Sequence, residues 1–365
     1  MKGNVTVVLD SQAGSCGKGK FVGYLAKHDN FTAAINNFMS PCQRACKVKA
    51  IEIGEDNAAS IRNEKCIACG ACVYQCPFGA ISDKSFILNA INLIRGSEDN
   101  EKYRVFALVA PSISSQFTYA KLGQVVSGIK ALGFFTVIEA ALGADMVAWA
   151  EARELTEKGF LTSSCCPAFV EYIKKNFPAL EENISHNLSP AATLAKYIKD
   201  TTPDVKIVFI GPCTAKKTEA LKPEVKPYID AVLTFEELQA LFDSRDLDIT
   251  TMEEDLLDNA SFYGRIFARS GGLSDAVKEA LHEQGLDDFN LKAVPCDGIE
   301  ACRVALLKAN KHVLDGNFIE GMACTGGCIG GAGCLTHGEK NKAEVDKYGM
   351  EAHEKKIIDA ISLLQ

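Results

Sequence analysis

Fifteen cysteines in a chain of 365 residues are the first chemistry this sequence offers. Thiols pair into disulfides in oxidising compartments and stay reduced inside cells, where clustered cysteines read as metal ligands. The opening stretch MKGNVTVVLD carries no signal-peptide or twin-arginine pattern, so a cytoplasmic location with reduced thiols is expected. The cysteines are clustered. Seven fall within the first 76 residues, and most of the others lie in three short motifs marked by glycine and proline.

The run Cys66-Ile-Ala-Cys69-Gly-Ala-Cys72-Val-Tyr-Gln-Cys76-Pro77 fits C-x2-C-x2-C-x3-C-P without a mismatch. Two-residue gaps let one loop wrap three thiolates around an iron–sulfur cubane, and the fourth cysteine points to another cluster. A zinc site is the competing reading, but zinc sites seldom use this four-cysteine run. Upstream, Cys42-x3-Cys46 followed by Ala50-Ile51 mirrors Cys72-x3-Cys76 followed by Ala80-Ile81, an internal repeat. By that repeat, Cys46, Cys66, Cys69 and Cys72 hold one [4Fe-4S] cluster, while Cys42 and Cys76 belong to a second. The second lacks two ligands, because the expected positions carry Met39 and Asn36. Cys16 either supplies a thiolate or is an ordinary thiol.

Three further motifs follow. They are Thr162-Ser163-Ser164-Cys165-Cys166-Pro167-Ala168-Phe169, Gly211-Pro212-Cys213-Thr214-Ala215-Lys216-Lys217-Thr218-Glu219, and Gly321-Met322-Ala323-Cys324-Thr325-Gly326-Gly327-Cys328-Ile329-Gly330-Gly331. Together they hold five cysteines, and four suffice for a cubane. Glycines beside Cys324 and Cys328 let backbone approach a bulky inorganic group.

These loops need elements to hold them. Length implies two or three domains with a real core. Hydrophobic residues make up 47% and charged residues 24%, as in an ordinary globular protein. No apolar run is long enough for a transmembrane helix, and a net charge of −8 argues against nucleic acid as a partner. A charged stretch over residues 96–102 marks a boundary. Beyond it, apolar runs at 105–109, 134–138, 206–210 and 231–235 read as buried strands, and 146–158 and 167–176 as helices. Such alternation implies α/β layers with largely parallel sheet, and the cysteine motifs sit where strands end.

In this order, behind a ferredoxin-like segment, the three motifs resemble the signature motifs of [FeFe]-hydrogenases over residues 103–337. The resemblance implies a two-lobed α/β catalytic domain with twisted, mostly parallel sheets over 99–365, preceded by a small α+β ferredoxin-like domain over 41–98. It implies reversible reduction of protons to dihydrogen at an H-cluster, a [4Fe-4S] cubane joined to a diiron unit carrying CO, cyanide and azadithiolate. Cys166, Cys213, Cys324 and Cys328 would hold the cubane, with Cys328 bridging to the diiron unit. Cys165 would be the spare thiol that passes protons to the bridging amine. A thiol's ordinary pKa of about 8.5 is tunable toward neutrality. Lys216 would donate to a cyanide, a fixed cation beside an anionic ligand, and Met322 would pack beside the bridging ligand. Ala110, Pro111, Ser112, Pro190, Gly211 and Pro212 would line the diiron pocket. Glu151 and Glu154, three apart on one helix face, and Ser185 would form a relay running Cys165, Glu151, Ser185, Glu154, solvent. A ferredoxin-type electron carrier and maturation proteins for the diiron site are the implied partners.

The sequence departs from the well-studied members. Gly211 replaces a methionine, Phe169 a tryptophan, Ala191 a glutamine and Thr325 a proline. A low-turnover hydrogen sensor and a non-catalytic iron–sulfur protein akin to cluster-assembly factors are the competing functions. Residues 1–40, with Gly14-x4-Gly19-Lys20 after an apolar run, resemble the start of adenylosuccinate synthetases. Phe21 stands where a phosphate loop places Ser or Thr, and Ser15-Cys16 replaces that family's acidic pair, so a fusion remnant is expected there.

Overall fold

The computed structural model describes residues 40–54, 58–77 and 79–362. The resemblance of residues 1–40 to adenylosuccinate synthetases and the question of Cys16 lie almost wholly outside that range. Contacts divide the chain into two compact units: one runs to Cys66 and resumes over Gly70–Asp83, and the other comprises Ile67–Cys69 and everything from Lys84 onward.

The small unit is built on the cysteine repeat. Its first helix among the described residues, Pro41–Ala45, starts at a capping box in which Gln43 and Ser40 satisfy each other's amides. Strands β1 (Ile51–Ile53) and β2 (Ala59–Ile61) pair antiparallel, Ile51 opposite Ile61. The short helix Ala71–Tyr74 follows Gly70, whose φ of 74° is the left-handed turn that glycine adopts without strain. The two halves of the repeat make the same contact. The Ala50 amide donates to Cys46 Sγ at 3.1 Å, and the Ala80 amide donates to Cys76 Sγ at 3.3 Å.

The large unit is α/β with two parallel sheets. Strands β3 (Arg104–Val109), β4 (Thr136–Glu139), β6 (Val205–Gly211) and β7 (Ala231–Thr234) form the first, in the order β4-β3-β6-β7. Strands β5 (Leu161–Thr162), β8 (Ala293–Asp297) and β9 (Phe318–Met322) form the second, in the order β5-β9-β8. All pairings in both sheets are parallel. The run at 134–138 becomes a strand two residues later. The run at 231–235 stops at Thr234, because its hydroxyl caps the helix Phe235–Ser244. The helix Ile87–Gly96 groups with this unit, and Phe86 and Ala90 are buried in its first core.

The helix Ala140–Lys158 connects the two layers. It begins six residues before the expected 146. Ala140, Ala141 and Leu142 belong to the core of the first sheet, while Ala144, Ala148, Ala152 and Leu155 belong to that of the second. Small side chains permit close approach: a Cβ on Gly143 would lie 2.1 Å from the Pro190 carbonyl that opens the helix Pro190–Thr201.

A buried charge cluster fixes the start of that long helix. Glu139, at the end of β4, meets the Arg265 guanidinium at 2.9 Å, and Arg265 reaches Asp258 at 2.7 Å and stacks over Tyr348. The Tyr348 hydroxyl also donates to Glu139. Burial pushes the Glu139 carboxyl up to about 7 against the pull of Arg265. Removing the cation would strand an enclosed carboxylate. Arg265→Met is therefore expected to destabilise the protein by about 3–5 kcal/mol, seen as a lower urea midpoint. Adding Glu139→Gln should recover much of that loss.

Candidate metal centre

Each of the three cysteine motifs leaves the carboxyl end of a parallel strand, where α/β folds place their sites. Strand β5 leads into Cys165 and Cys166, β6 into Cys213, and β9 into Cys324 and Cys328. Neighbouring strands β3 and β6 end together, Val109 beside Ile210, which brings Ala110-Pro111-Ser112 alongside Gly211-Pro212-Cys213. The first motif is tied to the third because the Gly321 amide donates to Ser163 Oγ at 3.1 Å. The second is tied to the third because the Gly333 amide donates to the Pro212 carbonyl at 2.8 Å, and a Cβ on Gly331 would stand 2.4 Å from that oxygen.

These ties gather four thiols. Cys213 is pushed up to about 12 by burial and by its neighbour Cys166. Cys328 is raised by burial and by Cys213 and Cys166, and Cys324 by burial and by the other three. Ionising four enclosed thiols side by side is costly in water-free surroundings. Iron in a cluster removes that cost, so the donor set fits a cubane. Among the described residues, no three His, Cys, Asp or Glu side chains converge tightly enough to hold a single metal ion. A zinc ion draws all its donors onto one point at about 2.0–2.3 Å, whereas a cubane takes one thiolate at each iron.

Two further observations fit a bound group with polar ligands. Ser112 Oγ and Ser189 Oγ are buried without a hydrogen-bond partner, on the two segments expected to line the diiron pocket. Unpaired buried hydroxyls are rare unless something else satisfies them. Lys216 is also enclosed. Burial works against its charge, but Glu219 at 2.7 Å outweighs that and holds its pKa up, so the ammonium persists. Glu219 was not singled out from the sequence, although its i,i+3 spacing from Lys216 signalled the pair. Met322 is buried at the end of β9.

Two of the four departures from the family pattern, Gly211 and Phe169, lie in close packing. A Cβ on Gly211 would lie 2.7 Å from the Phe209 ring and 3.1 Å from Ala110 Cβ, so Phe209 takes the space a larger residue would need. A Cβ on Gly321 would lie 2.2 Å from the Phe169 ring, so that glycine makes room for the ring. Nothing in the structure explains Ala191 or Thr325.

A line of proton-bearing groups runs outward from these thiols. Burial and then Glu151 push the Cys165 thiol well above its ordinary value, so tuning toward neutrality is not what the fold does to it. Glu151 is fully buried, and burial raises its carboxyl to about 7, with Ser185 and the Ser164 amide pulling it back. Glu151 Oε2 has no hydrogen-bond partner. Ser185 Oγ donates to Glu154 at 3.1 Å. A hydroxyl that bonds one carboxylate and influences the other is placed to swing between them. Glu154 is 13% exposed and meets Lys158 and His186 at the surface. Sequence reasoning passed over both of these, though Lys158 lies at i+4 from Glu154 and His186 follows Ser185.

In the small unit, Cys72 is raised by burial and by Cys66 and Cys46, so three of the four thiols expected on the ferredoxin-like cluster are neighbours. Cys69 groups with the large unit, where the Thr214 hydroxyl donates to the Ala68 carbonyl at 3.0 Å. The Cys42 thiol lies 3.0 Å from the Ser40 hydroxyl.

Residues 103–332 match the model of the iron-only hydrogenase large subunit, C-terminal domain, and residues 59–82 match the 4Fe-4S binding domain. The chain is 29% identical to iron hydrogenase 1 of Clostridium pasteurianum, covering 74% of this chain and 56% of that protein. It is 26% identical to the cytosolic Fe-S cluster assembly factor NAR1 of Candida dubliniensis, covering 53% of this chain and 39% of that protein. It thus spans little more than half the length of the first of these relatives and less of the second. The fold matches that of the [FeFe]-hydrogenase HydA1 from Chlamydomonas reinhardtii, solved as a variant, with a TM-score of 0.63 at 19% identity, covering 77% of this chain and 93% of that one.

Proposed function

The chain belongs to the iron-only hydrogenase large-subunit family, and from that premise we propose that it is a working [FeFe]-hydrogenase, reversibly reducing protons to dihydrogen. Cys166, Cys213, Cys324 and Cys328 would hold the cubane of an H-cluster, with Cys328 also bridging to the diiron unit. When bound, that group supplies the iron at which protons and electrons combine. Lys216, kept charged by Glu219, would donate to an anionic ligand on it. Met322, Ala110-Pro111-Ser112, Pro190 and Gly211-Pro212 would enclose it and exclude water. Cys46, Cys66, Cys69 and Cys72 would hold the [4Fe-4S] cluster that receives electrons from a ferredoxin-type carrier, and Cys42 and Cys76 would belong to a second. Dedicated maturation proteins would deliver the diiron unit. No helix among the described residues is long and apolar enough to cross a membrane, and a cytoplasmic location suits a reduced-thiol, oxygen-sensitive site.

One observation supports the reading: the Cys165 thiol is influenced by Glu151, Glu151 by Ser185, and Ser185 Oγ donates to Glu154, which reaches the surface. A protein that only carries or assembles clusters needs no such line. The likeness to NAR1 favours that second reading, and Gly211 in place of methionine favours a sensor of low turnover.

The pH dependence tests the leading one. Glu151, raised to about 7, must hold a proton to hand it inward and lose one to take it outward. At constant driving force, hydrogen evolution should fall as pH rises above 7, and hydrogen oxidation should fall as pH drops below 7. Glu151→Gln should depress both directions. A protein with a loaded diiron unit but no evolution from a chemically reduced viologen would instead support the sensor.

A further inference from the structure

We propose that His186 is the proton-exchange residue of this chain, passing protons between water and Glu154 at the mouth of the relay; the proposal rests on the reading above that Glu151, Ser185 and Glu154 carry protons. Glu154 is itself poorly placed to trade protons with water. Its side chain is only 13% exposed, and its oxygens are crowded with donors: the Ser185 hydroxyl, the Asn187 side-chain amide and the His186 backbone amide at 3.1 Å each, and Lys158 Nζ at 2.9 Å. Something else must take the proton to bulk.

Among the described groups touching Glu154, the imidazole is the one that stands in water and can carry a proton on either of two ring nitrogens. Its Nδ1 lies 3.1 Å from Glu154 Oε1, while 77% of the His186 side chain is exposed. An ammonium holds its proton tightly and has no acceptor site, whereas an imidazole has a donor and an acceptor nitrogen and is the side chain suited to proton shuttling. Lys158 is thus a fixed cation at the mouth and His186 the exchanging group.

The surroundings of Nδ1 suit both protonation states. Glu154 Oε1 at 3.1 Å and Lys158 Nζ at 3.5 Å both lie beside Nδ1, one an acceptor and the other a donor, and the two pair with each other at 2.9 Å. With Nδ1 protonated, the ring donates to Glu154; with Nδ1 bare, it accepts from Lys158. Hydronium from the solvent protonates Nε2 and leaves as water, the Nδ1 proton of the imidazolium passes to the Glu154 carboxylate, and a neutral ring with the proton on Nε2 remains. Exchange with water resets the tautomer, so the cycle moves one proton inward with nothing oxidised or reduced. Glu154 and Lys158 are the charged groups that meet the ring among the described residues, and Lys158 is held there by the Glu182 carbonyl at 3.2 Å.

The backbone makes a clean test possible. The His186 amide holds Glu154 whatever side chain position 186 carries, and so exposed a residue can be changed without threatening the fold. Hydrogen evolution by the cluster-loaded protein is measured against buffer concentration near pH 7. The native protein should be insensitive to it. His186→Gln should lose about tenfold at low buffer, short of the usual 10²–10⁴ because Glu154 still exchanges slowly, and added imidazole should restore the rate. A second readout needs no turnover. The carboxyl infrared band of Glu151, identified by its loss in Glu151→Gln, should shift more slowly after mixing with D2O in His186→Gln than in the native protein. Native turnover in His186→Gln at every buffer concentration, alongside a crippled Glu154→Gln, would overturn the proposal and leave the relay standing. A loss that imidazole does not rescue would make His186 merely structural and overturn it too. Native turnover in Glu154→Gln would remove the relay itself and His186's role with it.

Discussion

Cys165→Ala is expected to bind the complete H-cluster and to lose about 10²–10⁴-fold in hydrogen evolution, the range that general acid–base groups contribute. Four other motif cysteines suffice for the cubane, so the alanine removes no ligand. What it removes is the thiol proposed as the innermost proton carrier, which has Glu151, Cys166 and Cys328 as electrostatic neighbours. Burial and then Glu151 raise this thiol, which favours its protonated form. Glu151→Gln and Glu154→Gln should give the same phenotype, since an amide keeps the shape and loses the titration. The losses should not add in the double variants, as expected for groups in one series pathway. The measurement is evolution from a reduced viologen, alongside the infrared bands of iron-bound CO and cyanide. Normal bands with near-native turnover in Cys165→Ala would mean that protons enter by another route.

Cys328→Ala should have the opposite signature, losing the diiron unit outright. Cys328 opens a single 3-10 turn, Cys328–Gly330, between glycines that bring it against Cys213 and Cys166. A Cβ on Gly330 would lie 2.0 Å from the Thr325 carbonyl, so this turn has no slack to offer another donor. If Cys328 is the one covalent link from cubane to diiron unit, alanine leaves nothing to retain the latter. The ferredoxin-like cluster in the small unit should persist, seen as residual iron and sulfide and as its reduced-state resonance signal. Unchanged CO and cyanide bands in Cys328→Ala would sink the assignment.

The site was more legible than the scaffold. The three cysteine motifs are contiguous in sequence, so their residues could be named without knowing how the chain closes around them. The first sheet was legible too, because its strands are buried apolar runs such as 105–109 and 206–210. The second sheet was not. β5 is two residues long, β8 contains Pro295 and β9 contains Gly321, and each of those features silences the usual strand signal. The long helix was read from Met146 because its first turns, Ala140–Ala144, are apolar all round and packed on both sides, which erases the amphipathic pattern. The Cys165 thiol reads from sequence as tunable toward neutrality, and the surrounding burial raises it. That burial comes from pieces far apart in sequence, and no local pattern encodes it.

The relay shows the same division. Glu151 and Glu154 could be placed on one helix face by spacing alone, but their contrast could not. Glu151 is buried with one oxygen unpartnered, while Glu154 is bound by four neighbours at the surface. The segment 182–187 packing onto the helix creates that difference.

What would separate a hydrogenase from a cluster carrier is whether this thiol cluster holds a diiron unit beyond a plain cubane. An infrared spectrum of the protein, loaded anaerobically with clusters and then with the diiron unit, tests it most directly. Sharp bands from iron-bound CO and cyanide, retained in Cys165→Ala and absent in Cys328→Ala, are the expected result. A protein with its full iron and sulfide and no such bands would contradict the hydrogenase reading and leave a carrier of iron–sulfur clusters in its place.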